Sequence, residues 1–372
     1  MEKLKILELT NFSAGACGVF ARVIQESIEL KKLGYEVRVF SSNLEKGTNK
    51  IVNNSAEIQG IKISRFPAKQ LGGESYMKWF SKESEKLAVT FKPDVIIAHS
   101  YRHKHTHSAL DLGKKINSKV FLVTHAPFGR NRGFTNNIIV SLYDFFLGRR
   151  KLKKFNKVIA ITKWEISYLE KLGLERDRIV YIPNGIPNIF FTQKPKKEQN
   201  KILFLGRISP IKNLETLIKS IHFLSDKKIT LEIVGPAEED YKLNLISLIK
   251  NLKVESRVVF YPAVYDLKEK IEKIDSCKIF VLPSFSEGMP QSLIEAMARK
   301  KIVISSDNLG GKELIENNSN GFIFETGDYN QLAEVIDKSI DLKDKKIQAH
   351  AEKSVEKFKW SILIKNLESL FN

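Results

Sequence analysis

Short apolar runs alternate with longer amphipathic stretches along nearly the whole chain. Residues 4–9, 37–41, 95–98, 120–124 and 158–162 read as buried strands, the last closing a first series. Between the first two, residues 19–33 place Val19, Phe20, Val23, Ile24, Ile28 and Leu30 on one helical face, and Gly34 ends the helix. The stretch 188–200 loses all periodicity and becomes polar, basic and proline-bearing, as a linker does. A second series follows, with strands at 201–205, 230–234, 258–261, 279–283 and 302–305. Its helices fall at 214–224, 242–252, 267–274 and 291–299. Residues 354–370 read as one terminal helix with apolar positions on one side. Strand-helix alternation of this kind predicts parallel sheets flanked by helices, and two series predict two doubly wound α/β domains. The predicted division is 1–190, a linker at 191–200, 201–352, and a terminal helix at 353–372 that packs back toward the first domain. Ligands of open α/β sheets bind beyond the carboxyl ends of the strands, so chemistry is expected just after strands, in a central cleft that the two domains face.

The 372 residues suit two domains of ordinary size. Glu8 interrupts the first apolar run, which argues for a strand rather than a secretory leader. No run approaches the roughly 18–20 apolar residues of a membrane span. Cys17 and Cys277 are the only cysteines. They exclude a disulfide framework and fit a cytoplasmic protein. The net charge of +18 is unevenly spread: residues 1–200 hold 35 Lys and Arg against 18 Asp and Glu, whereas residues 201–372 hold 26 against 25. Two readings fit the first half equally, a solvated basic surface or a face that meets an anionic membrane or a phosphate-bearing acceptor. No RNA-recognition signature, zinc finger or basic-aromatic platform supports nucleic acid as a partner.

After the run 202–205 come Gly206 and Arg207, then Lys212. A strand-end glycine followed by two cations ahead of a helix is what a diphosphate needs. After the run 279–283, Glu287 precedes the turn Gly288-Met289-Pro290, and Glu295 lies inside the next helix. A carboxylate at a strand end accepts bonds from sugar hydroxyls, and a second one suits a ribose diol. In the first half, Gly15 and Gly18 open the first helix without forming G-x-G-x-x-G, which argues against a dinucleotide dehydrogenase. Five of the seven histidines fall between 99 and 125: His99, His103, His105, His107 and His125. Imidazoles are common metal ligands, but no cysteine lies near and carboxylates are scarce, so no metal is assigned. The apolar segment 134–146 runs into Arg149-Arg150-Lys151-Leu152-Lys153-Lys154. It reads equally as an interfacial helix or as a core helix with a basic exit.

The spacing Glu287 to Glu295 resembles the E-x7-E signature of the family 4 retaining glycosyltransferases of GT-B fold. Gly206-Arg207 with Lys212, Glu295-Ala296-Met297-Ala298, Asn308-Leu309-Gly310-Gly311, Gly327-Asp328 and Phe358-Lys359-Trp360 follow in the family's order. The resemblance implies two Rossmann-like domains and transfer of a sugar from a UDP- or GDP-linked donor to an acceptor hydroxyl. The acceptor would be a sugar, or a lipid-linked or lipid-phosphate one. Arg207 and Lys212 would bind the donor diphosphate. Glu287 would bind the donor sugar with the backbone of Gly288, Met289 and Pro290, Glu295 the ribose, and residues 261–264, ending in Val264, the base. Gly15 and Gly18 would lie near the donor phosphate, and His125 near the anomeric carbon. No Asp-x-Asp occurs, so the cations would replace a metal, and the nucleotide sugar is a co-substrate rather than a cofactor. A nucleotide-sugar epimerase and a basic nucleic-acid-binding protein are the competing classes. Lys300 and Ile302 depart from the family, which often has Gly and Pro in those places.

Overall fold

A computed structural model describes residues 4–48, 50–70, 74–128, 134–342 and 345–371, with residues 134–136 as backbone alone. The chain forms two compact units. Unit 1 comprises residues 1–185 and 360–372, and unit 2 comprises residues 186–359.

Unit 1 holds an eight-stranded sheet: β1 Lys5–Leu9, β2 Glu36–Ser42, β3 Ser55–Ile58, β4 Ile61–Phe66, β5 Val95–His99, β6 Lys119–Val123, β7 Lys157–Ala160 and β8 Ile179–Tyr181. Their order is β3-β4-β2-β1-β5-β6-β7-β8, parallel except where β3 meets β4. The strands in the middle are apolar because helices cover both faces: Ile6, Leu7, Ile96, Ile97 and Leu122 have no exposure at all. The sheet extends beyond the predicted strands on both sides. At one edge β3 and β4 form a hairpin around Gln59 (φ 49°) and Gly60 (φ 77°). Two successive positive-φ residues make the turn whose twist matches a two-residue hairpin. At the other edge β8, not residues 158–162, closes the series. Both edges are short and partly exposed, so their apolar signal is weak.

Unit 2 holds six parallel strands: β9 Lys201–Leu205, β10 Thr230–Val234, β11 Val258–Tyr261, β12 Ile279–Leu282, β13 Ile302–Ser306 and β14 Phe322–Phe324. Their order is β11-β10-β9-β12-β13-β14. The strand order reverses between β9 and β12, as it does between β1 and β5 in unit 1. Such switch points are where loops diverge and ligands find room.

Two boundaries differ from the sequence reading. Residues 191–200 belong to unit 2 rather than forming a linker. A short helix, Ile189–Thr192, buries Phe190, and the carbonyls of Phe190 and Gln193 accept bonds of 2.9 and 2.8 Å from Arg299 Nη1. The predicted terminal helix 354–370 is broken. Lys346–Val355 ends in a 3-10 turn, Glu356–Phe358, and a new helix, Trp360–Glu368, begins after an extended Lys359. Phe358 is buried in unit 2, where its carbonyl accepts a 2.9 Å bond from the Ile186 amide. Trp360 is buried in unit 1, so close to Gly185 that a Cβ there would come within 2.8 Å of the indole. A continuous helix could not serve both cores.

Candidate functional site

The loops after β9 and β12, the two strands at the switch point of unit 2, are tied together. The Phe285 amide donates to the Ile211 carbonyl at 2.9 Å, and Asn213 Nδ2 donates to the Pro283 carbonyl at 3.2 Å. Asn213 takes a left-handed conformation (φ 50°) that ends the 3-10 turn Pro210–Lys212. Lys212 Nζ therefore reaches Glu287 Oε1 at 2.6 Å, with both side chains mostly buried. Ser284 Oγ donates to the same oxygen at 2.7 Å. An ammonium carries three donors, so this pairing uses one of them. Arg207 is differently placed: its Nη1 lies 3.4 Å from Glu238 Oε1, and a third of its side chain is exposed. Gly206 faces Gly235, where a Cβ would meet the Gly206 carbonyl oxygen at 1.9 Å. These two loops pack backbone to backbone, and only glycine at 235 permits it.

Gly288 and Met289 lead into Pro290, which caps the helix Gln291–Ala298 without a side-chain bond. The turn is buttressed from β13. Ser306 Oγ and Asn308 Nδ2 both donate to the Ser284 carbonyl, at 2.6 and 3.0 Å. Gly310 completes this support, since a Cβ there would lie 2.7 Å from Glu287 Cβ and from the Gly288 carbonyl oxygen. Glu295 is buried in the same helix. Its Oε1 accepts a 2.6 Å bond from Lys270 Nζ, while its Oε2 has no hydrogen-bond partner among the described residues. Burial raises its pKa, partly offset by Lys270. A cavity of about 360 Å³ opens beside Ile208, Gly235, Lys242 and Tyr261. Its wall runs to Ala263, and Val264 stands one residue further on.

In unit 1 the predicted residues are placed as follows. Gly15 (φ 77°) is confined: a Cβ would lie 2.7 Å from the Lys46 carbonyl oxygen. Gly18 is the first residue of the helix Gly18–Lys32 and has open space around it. His125 follows β6 with φ 60°, and Ala126 has φ 50°. His99 Nδ1 lies 2.9 Å from His125 Nε2, and His99 Nε2 lies 2.6 Å from Glu8 Oε2. The other histidines do not join them in one ligand set. His103 Nδ1 contacts Asn11 Nδ2 at 2.7 Å, His105 Nε2 contacts the His99 carbonyl at 2.7 Å, and His107 Nε2 meets the Tyr143 hydroxyl at 2.7 Å. Burial pushes the His105 and His107 pKa values down to about 3 and about 4, so both rings are neutral at pH 7. Among the described residues, the one group close enough to hold a metal is Glu8, Glu26 and His99. A guanidinium already stands there: Arg22 Nε is 3.0 Å from Glu26 Oε2.

The segment 138–147 settles one alternative. Ile138, Ile139, Leu142, Phe145, Phe146 and Leu147 are 45–60% exposed, so this is not a core helix. After the helix Phe134–Tyr143, residues Asp144–Gly148 form a π-helix, and Asp144 is buried against Tyr101 Oη (2.9 Å) and Arg102 Nε (2.9 Å). Exposed Arg150, Lys153 and Lys154 follow. No helix among the described residues is long and apolar enough to cross a membrane.

Sequence reading missed Lys270 and Glu238, the partners of Glu295 and Arg207, because each comes from another loop or helix. It also missed Glu8, Arg22 and Glu26 as a group. Glu8 did carry a signal, as a carboxylate inside an otherwise apolar buried strand.

Comparison with known proteins places these features. A curated glycosyltransferase of Haemophilus influenzae, itself uncharacterized, is 30% identical over 231 residues, covering 61% of each chain. The Campylobacter jejuni N,N'-diacetylbacillosaminyl-diphospho-undecaprenol alpha-1,3-N-acetylgalactosaminyltransferase is 26% identical over 239 residues, covering 60% of this chain and 61% of that one. The matches thus span about three-fifths of the length of these relatives. Among solved structures, Anabaena HepE in complex with UDP and glucose superposes with a TM-score of 0.79 at 18% identity over 98% of both chains. Sucrose-phosphate synthase from Thermosynechococcus elongatus gives 0.78 at 17%, over 99% of this chain and 98% of that one. At these identities the likeness establishes the fold, which is GT-B. The family model "Glycosyltransferase Family 4" matches residues 17–188, and "Glycosyl transferases group 1" matches residues 185–357. With nearly the whole chain accounted for by this pair, the protein belongs to the group 1, family 4 glycosyltransferases.

Proposed function

We propose that the chain is a retaining, metal-independent glycosyltransferase that moves a sugar from a UDP- or GDP-linked donor to an acceptor hydroxyl. The observation that carries this reading is the Lys212–Glu287 pair at the switch point of unit 2, held at 2.6 Å by loops that are bonded to each other. Lys212 keeps two donors for diphosphate oxygens, and the more exposed Arg207 adds a guanidinium. Glu287 spends Oε1 on Lys212 and Ser284, leaving Oε2 for a sugar hydroxyl. Glu295 Oε2 accepts from the ribose, and the cavity beside Tyr261 takes the base, with Val264 at its margin. His125 is the unit 1 group assigned to the donor sugar. In the reaction the bond from the anomeric carbon to the phosphate oxygen breaks, and the acceptor oxygen attacks on the same face. The acceptor proton passes to the leaving phosphate. Positive charge builds on the sugar and negative charge on the diphosphate, where fixed cations act by preorganisation.

The acceptor fits a lipid-linked or lipid-phosphate molecule met at the cytoplasmic face of a membrane. Exposed Phe145, Phe146 and Leu147 supply apolar contact, and Arg150, Lys153 and Lys154 supply charge. Each such cation is worth about 1 kcal/mol near an anionic surface. The Campylobacter relative is named for a diphospho-undecaprenol, a lipid diphosphate, and HepE has been solved with UDP-glucose. Incubation with a panel of nucleotide sugars in excess EDTA tests the reading. Acceptor-dependent release of nucleoside diphosphate is expected. Isomerised sugar nucleotide without release would indicate an epimerase, and complete loss of release that Mg²⁺ or Mn²⁺ restores would overturn metal independence. Cosedimentation with anionic vesicles, weakening as salt rises, is expected for the surface; equal binding to neutral vesicles would remove the charge argument.

A further inference from the structure

Glu295 is buried but only half satisfied. It is 5% exposed in the helix Gln291–Ala298, with Oε1 accepting a 2.6 Å bond from Lys270 Nζ and Oε2 without a hydrogen-bond partner among the described residues. Buried polar atoms in folded proteins nearly all find a partner. The unpartnered oxygen therefore points to a ligand, and in the proposed function that ligand is the ribose.

The cation that holds Glu295 comes from another part of the sheet's connections. Lys270 stands in the helix Leu267–Ser276, whose start is fixed by Asp266: its Oδ1 accepts from the Lys268 and Glu269 amides at 2.9 and 3.0 Å. Shortly before this helix come residues 261–263, the wall of the cavity assigned to the base. One segment thus carries the base wall and, a helical turn past Asp266, the partner of the ribose carboxylate.

Two other cations have matching spacing but are committed elsewhere. Arg299 lies four residues after Glu295, the separation of a helical ion pair. Its Nε and Nη2 instead bond the two oxygens of Asp275 at 2.8 Å each, and its Nη1 bonds the carbonyls of Phe190 and Gln193. Lys273, a turn after Lys270, reaches Glu232 Oε2 at 3.3 Å and lies 3.6 Å from the centre of the Tyr261 ring. Burial raises the Glu295 pKa, and Lys270 opposes this by its charge and its hydrogen bond. Without Lys270 the carboxyl takes up a proton more readily, and a neutral acceptor bonds hydroxyls more weakly than a charged one.

We propose that Lys270 is a positioning residue: it holds Glu295 by Oε1 and reserves Oε2 for the ribose diol, so that the site prefers ribonucleotides to their dideoxy forms. This role rests on the assignment of Glu295 to the ribose.

Calorimetric titration of the full-length protein with UDP and GDP, each beside its 2′,3′-dideoxy form, reads the role as a ratio of affinities. For the base that binds, the unmodified protein should prefer the ribonucleotide roughly 10–100-fold, the range for a hydrogen bond to a charged group. Lys270→Met should lower that ratio by about 10-fold, the difference between charged and neutral bonds, and leave the affinity for the dideoxy form unchanged. Lys270→Gln keeps a donor for Glu295 but no charge, and should also lower the ratio; Lys270→Arg should retain it. In Glu295→Gln, adding Lys270→Met should change nothing further. An unmodified ratio in Lys270→Met or Lys270→Gln overturns the proposal. So does a further loss from Lys270→Met in the Glu295→Gln background, because Lys270 would then meet the ligand itself. The assignment of Glu295 is read separately: if Glu295→Gln leaves the ratio unchanged, or the unmodified protein shows no preference, the carboxylate does not bind the ribose and the role of Lys270 falls with it.

Discussion

Both units place ionisable groups at the two strands where the order of the parallel sheet reverses, in the loops after them in unit 2 and within them in unit 1, and treat them in opposite ways. In unit 2, Lys212 meets Glu287 in loops, mostly but not wholly buried, and Arg207 is a third exposed. In unit 1, Glu8, Arg22, Glu26 and His99 are sealed inside, on strands and a helix. A pair in a loop can exchange partners with a ligand. A sealed group must approach neutrality by itself, so burial raises its carboxyls, Glu8 to about 8 and Glu26 to about 7. One fold thus holds both a partly open ion pair and a sealed ionisable group.

The largest difference is expected in stability. Arg22→Ala leaves Glu26 and Glu8 buried without their cation and should cost about 3–5 kcal/mol, as for other broken buried pairs. Arg207→Ala, at a pair that is 3.4 Å long and partly solvated, should cost less than about 1 kcal/mol of stability. Urea unfolding checks this, followed by tryptophan fluorescence for Arg22→Ala, because Trp79, Trp164 and Trp360 all belong to unit 1, and by circular dichroism for Arg207→Ala in unit 2, which has no tryptophan. Equal costs would break the comparison.

The pH dependence sharpens it. The folded-state pKa of Glu8 is raised from 4.5 to about 8, and that of Glu26 to about 7. The folded chain therefore holds protons that the unfolded chain has released, and this stabilisation is complete below pH 4.5 and lost as pH rises through 8. His99 acts in the opposite sense, its depressed value stabilising the fold above 6.5 and losing that effect as pH falls toward 3. Between pH 6.5 and 8 the carboxyls act alone, so stability should fall with pH, and less steeply in Glu8→Gln. Thermal melts across that window give the slopes; identical slopes would exclude Glu8 as the proton carrier.

A smaller effect is expected at the helix exit in unit 2. Lys300 sits at φ 57°, a conformation that glycine adopts without strain, and its ammonium lies 3.1 Å from Glu352 on the surface. Lys300→Gly should relieve roughly 1 kcal/mol of backbone strain, less the small loss of a surface pair. A lowered melting temperature would show that the Glu352 pair outweighs the strain.

These contrasts also explain what could be read from sequence. The unit 2 residues lie in two contiguous strings, Gly206–Lys212 and Glu287–Glu295, because loops after adjacent strands carry them. Their spacing and order are visible in one dimension. The unit 1 group is assembled from positions 8, 22, 26, 99 and 125, brought together by a sheet whose strand order no local pattern specifies. The strands of both sheet centres were legible because burial on both faces makes them uniformly apolar. The β3–β4 hairpin, β8 and β14 were not, being short and partly exposed. The break at Lys359 was hidden because Phe358 and Trp360 keep an apolar pattern on either side of it.

The central claim is that unit 2 binds a nucleoside diphosphate through Arg207 and Lys212. Calorimetric titration of UDP and GDP in EDTA, into the unmodified protein and Arg207→Ala/Lys212→Ala, tests it most directly. Each charged hydrogen bond is worth about 1.5–3 kcal/mol, so the double variant should bind at least about 100-fold more weakly. Unchanged affinity in the double variant would contradict the account.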